Sequence, residues 1–203
     1  MQQISSEDCR LRFPVFPEYG CDPISDEETY HFPETIANAA FILEASSFSR
    51  LALKAGKALA AALASLGADS LVFLGDNKIP WRRRDVSCPP ARRGLEYLEV
   101  KGIGRRFNGG LQFGVDELPV AMRHLLWLVR TNTFLPYLWF TEPAQRFIAS
   151  PCQYGGLHLS ILAGQDANAI LKAFSENGFL QVDASSCNER FSKGGIRGRT
   201  IPV

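Results

Sequence analysis

The stretch from Phe48 to Leu66 limits the possible folds of this chain more than any other. Leu51, Ala55, Leu59, Ala62, Leu63 and Leu66 recur at separations of three and four, which places them on one face of a helix. Alanine on that face permits close approach to a sheet or to a second helix, Gly56 is a small cost inside the helix, and Gly67 supplies the stop. An amphipathic helix this long needs a partner layer, and the flanking segments provide candidates for it.

Leu71 to Leu74 reads as a buried strand ended by a turn at Gly75-Asp76-Asn77. Leu95 to Val100 alternates like a second strand, and Leu111 to Phe113, together with Phe107, like a third. Asp116 is placed to cap a helix with Met122, Leu125, Leu126 and Val129 facing inward, Trp127 widening that face, and Asn132 and Thr133 closing it. Three short strands follow, Leu135 to Phe140, Arg146 to Ser150 and Leu157 to Leu162, separated by turns at Glu142-Pro143 and Tyr154-Gly155-Gly156. Asp166 to Asn177 reads as a helix burying Ala169, Ile170, Ala173 and Phe174, with Gly178 at its end. Phe179 to Val182 is a further strand, and Phe191 to Val203 returns as an edge hairpin.

Upstream, Pro33 and Glu34 are suited to open a helix reaching Ala45, because proline is tolerated where the first helical amide has no partner. Residues 1–32 carry Pro14, Pro17 and Pro23 and the acidic cluster Asp26-Glu27-Glu28. They read as an irregular arm or short edge strand. Phe13, Phe16, Tyr19, Tyr30 and Phe32 hold that arm to the body. The expected fold is α+β: a mixed or mainly antiparallel sheet packed against several helices in one domain over 1–203, with 1–32 as a proline-rich arm.

Composition excludes little but directs attention. The net charge is +1, from 22 basic and 21 acidic residues, so non-specific nucleic-acid binding by bulk charge is not indicated. No apolar run reaches eighteen residues, and a membrane role is not expected. Cys9, Cys21, Cys88, Cys152 and Cys187 are odd in number and widely spaced, which favours free thiols and a cytoplasmic setting. Three scattered histidines offer no metal-ligand spacing, and neither a metal nor a cofactor is expected.

Chemistry-bearing residues gather in two places. Lys101 to Gly110 concentrates cations and glycines in what reads as a flexible loop between a strand and a helix, and Arg82-Arg83-Arg84 follows Trp81. The loop lacks the third glycine of a dinucleotide fingerprint and the lysine-hydroxyl ending of a phosphate loop. Trp81, Arg82, Arg84, Tyr97, Arg105, Arg106 and Phe107 form the candidate binding group, aromatics supplying area and arginines directed polar contacts. This favours a protein-binding module, an inhibitor or immunity-type protein, with the acidic arm at Asp26 to Glu28 as a second possible contact. An enzyme acting on an anionic small molecule is the alternative, with Glu99, Asp116 or Glu117 beside the arginines. Nucleic-acid binding is another, tracked by Arg82 to Arg84, Arg92-Arg93, Lys193, Arg197 and Arg199. Cys152 and His158 are the one pair placed to make an activated thiolate, with Glu142 or Asn108 to orient the imidazole. The competing reading puts His158 on the outer face of a strand whose Leu157, Leu159 and Ile161 point inward.

Overall fold

The computed structural model describes residues 1–21, 28–75, 79–82, 88–131, 135, 137–184, 186 and 191. Its centre is an eight-stranded sheet in the order β1-β6-β5-β7-β8-β9-β4-β10. The strands are β1 (Gln2–Ile4), β4 (Thr35–Leu43), β5 (Ser70–Gly75), β6 (Gly110–Gly114), β7 (Leu138–Thr141), β8 (Phe147–Pro151), β9 (Gly156–Leu162) and β10 (Phe179–Val182). Neighbouring strands pair antiparallel throughout, as in Phe73↔Phe140 and Leu159↔Ala149. A separate hairpin joins β2 (Glu18–Cys21) to β3 (Glu28–His31). The α+β architecture follows from these elements together with the five helices among the described residues.

Alternation along the strands sorts their side chains between two apolar layers. Phe41, Phe73, Phe113, Phe140, Phe147 and Leu159 face the helices α2 (Phe48–Ser65), α3 (Pro89–Val100), α4 (Leu118–Arg130) and α5 (Ala167–Glu176). Val72, Leu74, Trp139 and Ile148 face the other way, onto Ile4, Cys9, Phe13, Val15 and Phe16 of the N-terminal segment. The arm therefore covers part of the second sheet face, and its β1 pairs with β6 at one edge.

The α2 helix forms as its periodicity dictates. Ser47 accepts from the Arg50 amide at its start, and Gly67, with φ of +69°, ends it. Gly56 is more than a tolerated cost. A Cβ there would collide with the Leu118 carbonyl and Pro119 Cα, so this glycine lets α2 and α4 meet backbone to backbone.

Several expectations are corrected. Residues from Pro33 to Ala45 are not a helix: Thr35–Leu43 is β4, held between β9 and β10. Leu95 to Val100 is not a strand but the last half of α3. Pro89 and Pro90 open that helix after Cys88, and Ala91, Gly94, Leu95 and Leu98 are buried along one side. The arm contains a regular helix, α1 (Ser6–Arg12), started by Ser5, whose hydroxyl accepts from the Asp8 amide and donates to the Asp8 carboxylate. Glu117, not Asp116, is the residue at the start of α4, and it makes no side-chain cap. Ala169 is exposed, whereas Ile170, Ala173 and Phe174 are buried as expected. The expected hairpin from Phe191 to Val203 lies, Phe191 apart, outside the described residues.

Candidate interaction surfaces

Because Leu95 to Val100 is helical, the glycine-basic segment lies between a helix and a strand, and its first glycine acts as a helix terminator. The Ile103 amide donates to the Leu98 carbonyl at 2.9 Å and the Gly102 amide to Glu99 at 2.8 Å. Gly102 has φ of +82°, and Ile103 packs with Leu98 in the core. This is the Schellman arrangement, in which a left-handed residue closes the last helical carbonyls. The amides of Gly102 and Ile103 are thus turned back into the helix, and that of Phe107 donates to Gly104. These three amides are therefore not available to cradle an anion.

The turn is also clamped from outside. The Trp81 amide donates to the Phe107 carbonyl, and its indole N–H donates to Gly109 at 2.8 Å. Arg82 donates to the Ile103 carbonyl and meets the Glu99 carboxylate, both at 2.8 Å. Gln3 reaches the Gly102 carbonyl from β1. Lys101 lies 3.2 Å from the Glu117 carboxylate, which also receives the Met1 amine and the Gly114 amide. Burial alone would raise the Glu117 carboxyl, but the hydrogen bonds from the amine, Lys101 and Gly114 outweigh it and hold its pKa below the ordinary value.

The candidate binding residues occupy distinct positions around this clamp. Trp81 is 1% exposed, so it supports the turn from beneath and offers no surface of its own. Arg82 lies along the turn, spent on Ile103 and Glu99. Tyr97 is half-buried, stacked on His124 with centroids 4.5 Å apart, and Lys101 sits over its ring at 5.9 Å from the centroid. Burial, helped by the Glu117 charge, pushes the Tyr97 hydroxyl up to about 12. Arg105 and Arg106 are exposed and Phe107 is half-buried against the core. Val100, the last residue of α3, is 86% exposed, which sequence reasoning did not single out. Arg84, like Asp26, Lys193, Arg197 and Arg199, lies outside the described residues.

The remaining candidates are held in structural contacts. His158 faces Ser150 across the β8–β9 pair, away from Leu157, Leu159 and Ile161, and its Nδ1 accepts from no group among the described residues. Cys152 is 5% exposed, and its sulfur accepts from the Gly156 amide at 3.2 Å. Glu142 is buried in the β7–β8 turn, accepting from the amides of Ala144 and Arg146 and from the Arg146 side chain. It does not orient an imidazole. Cys9, Cys88 and Cys152 form no disulfide, and burial pushes the Cys9 thiol up to about 11, well away from a reactive thiolate.

A second cationic region lies on α2, and the sequence reading passed over it. Arg50, Lys54 and Lys57 are exposed on one side of the helix and make no ion pair among the described residues. Lys54 donates only to the Glu44 carbonyl, at 3.0 Å. They border two adjoining clefts. One, of about 580 Å³, lies among Glu44, Lys54, Lys57, Asn177, Gly178 and Leu180. The other, of about 600 Å³, lies among Ile42, Glu44, Ala45, Ser46, Arg50 and Lys54. The signal that marks this region is the absence of any acidic residue from Phe48 to Leu66, so no carboxylate on the helix itself can neutralise its cations.

Among the described residues, no group of three or more His, Cys, Asp or Glu could hold a metal ion, and no helix is long and apolar enough to cross a membrane. No protein-family model, curated protein or solved structure matches this chain.

Proposed function

We propose that this protein is a binding module of the inhibitor or immunity type, which meets a partner protein through the turn after α3. The observation that carries the reading is Val100, 86% exposed at the end of α3, followed in the chain by the exposed Arg105 and Arg106 on a turn that Trp81 and Arg82 clamp. An apolar contact flanked by arginines is the composition of an interface centre, and a turn ordered before binding loses little entropy on contact. Phe107 and Tyr97 border this surface, and Trp81 and Arg82 hold it in place. The enzyme reading, with loop amides around an anionic substrate, loses the Gly102, Ile103 and Phe107 amides, which are spent internally.

The test begins with a photo-crosslinking residue at Val100 to identify the partner, followed by titration of purified partner against wild-type protein and R105E/R106E. The expected result is at least a tenfold loss of affinity in the variant and a shallower salt dependence. Unchanged affinity and salt response would overturn the assignment. Saturable binding of a single-stranded oligonucleotide that disappears in R105E/R106E would replace the protein partner with a nucleic acid.

A further inference from the structure

We infer that the clefts beside α2 form a second docking site, separate from the turn after α3, whose occupant is an extended acidic segment of a partner protein. The two clefts share Glu44 and Lys54, so they form one continuous depression along the helix, and they share no lining residue with the turn. Their cations have the spacing to read such a segment. Arg50 and Lys54 are four residues apart on the helix, about 6 Å along its axis, and alternate side chains of an extended chain are separated by roughly 6.6 Å. Carboxylates at positions i and i+2 therefore fall opposite successive cations, and Lys57 continues the row.

Charge and lining favour a peptide over a nucleic acid. Arg50, Lys54 and Lys57 outnumber the single carboxylate of Glu44, which leaves the depression positive. Ile42 and Leu180, the latter 46% exposed, supply apolar contacts for the residues between the carboxylates. No aromatic side chain lines either cleft, so the stacking platform that single-stranded nucleic acid uses is missing. Among the described residues none of these cations meets a carboxylate, and Lys54 donates only to the Glu44 carbonyl. Elsewhere Arg82, Lys101, Arg146 and Lys172 each meet a carboxylate of the chain itself.

The test titrates a labelled peptide alternating glutamate with valine against the full chain at low and moderate salt, with the glutamine-for-glutamate peptide, inorganic phosphate and oligouridylate as comparisons. Expected are saturable binding of the acidic peptide only, a tenfold or greater weakening in K54E/K57E, no change in R105E/R106E, and amide shift changes centred on Gly178 and Leu180. Thermal melting of K54E/K57E establishes that the variant is folded. No saturable binding at low salt, or binding indifferent to K54E/K57E, would overturn the site. Tighter binding of oligouridylate than of the peptide would overturn the choice of occupant. Because the two double variants touch different surfaces, failure here leaves the turn after α3 untouched, and the reverse.

Discussion

The turn after α3 and the exposed side of α2 both carry clustered cations, yet the molecule uses them in opposite ways. Around the turn, Arg82 is spent on Glu99 and on the Ile103 carbonyl, and Lys101 on Glu117. On α2, Arg50, Lys54 and Lys57 meet no carboxylate among the described residues. The denser cluster is partly fold and the sparser one is wholly surface. Density of positive charge in a sequence is thus a poor guide to charge available for a partner, because availability depends on which carboxylates the fold brings alongside.

The largest expected effect tests whether the turn is structural at its base. Trp81 is buried and its indole N–H is satisfied by Gly109, so Trp81→Ala should cost about 3–5 kcal/mol, the usual range for emptying a buried tryptophan site. Lys54→Glu/Lys57→Glu, by contrast, should stay within about 0.5 kcal/mol of wild type, as exposed substitutions do. Equilibrium urea unfolding of the two variants measures both. A tolerated Trp81→Ala, or a strongly destabilised α2 variant, would break the contrast.

Why the sequence showed one cluster and hid the other can be traced to particular residues. Phe48 to Leu66 was legible because its period is long and regular, and the strands from Leu71 to Leu74 and from Leu157 to Leu162 because buried apolar residues bounded by turns have few other solutions. Thr35 to Leu43 was not. Its alanines suit a helix, and only pairing with β9 on one side and β10 on the other makes it a strand, a tertiary decision that local propensity does not encode. Leu95 to Val100 alternates weakly, which masked the stronger indication of Pro89 and Pro90 at a helix start. That misreading carried over to the site: with a strand before it, Gly102 reads as a loop hinge, and with a helix before it the same glycine is a cap. The Arg82–Glu99 pairing likewise depends on α3 being a helix, so no inspection of spacing would reveal it. The α2 cations were visible but resembled an ordinary solvated face; the missing acids were the clue.

A smaller effect sharpens the contrast at the backbone. Gly102 sits at φ of +82°, where a side chain is strained, so Gly102→Ala should cost about 1–2 kcal/mol. For a chain of this size that lowers Tm by roughly 2–8 °C. The loss should come with weaker hydrogen-exchange protection at Gly102 and Ile103 and none in α2. An unchanged Tm would mean that the turn is not held by its glycine cap.

The smallest effect is in acid and separates the two regions by pH. The Glu117 carboxyl lies below its ordinary pKa because the Met1 amine, Lys101 and the Gly114 amide donate to it. A carboxyl whose folded pKa is lowered contributes stability that is complete above its unfolded pKa, near 4.3, and is lost as pH falls through the folded one. His124 acts at higher pH. Burial first, then the charges of Arg123 and Arg93, lower its pKa, so the unfolded imidazole takes up a proton more readily than the folded one and stability begins to fall as pH drops below about 6.5. Glu117→Gln should therefore remove part of the acid loss below about pH 4–5 and leave in place the loss that begins at about pH 6.5. Lys54→Glu/Lys57→Glu should leave the upper part of the profile as it is, because neither lysine touches Glu117 or His124. Stability measured by urea midpoint from pH 3 to 8 checks this, and a Glu117→Gln profile that follows wild type throughout would show that the clamp on the turn is not held by this carboxylate.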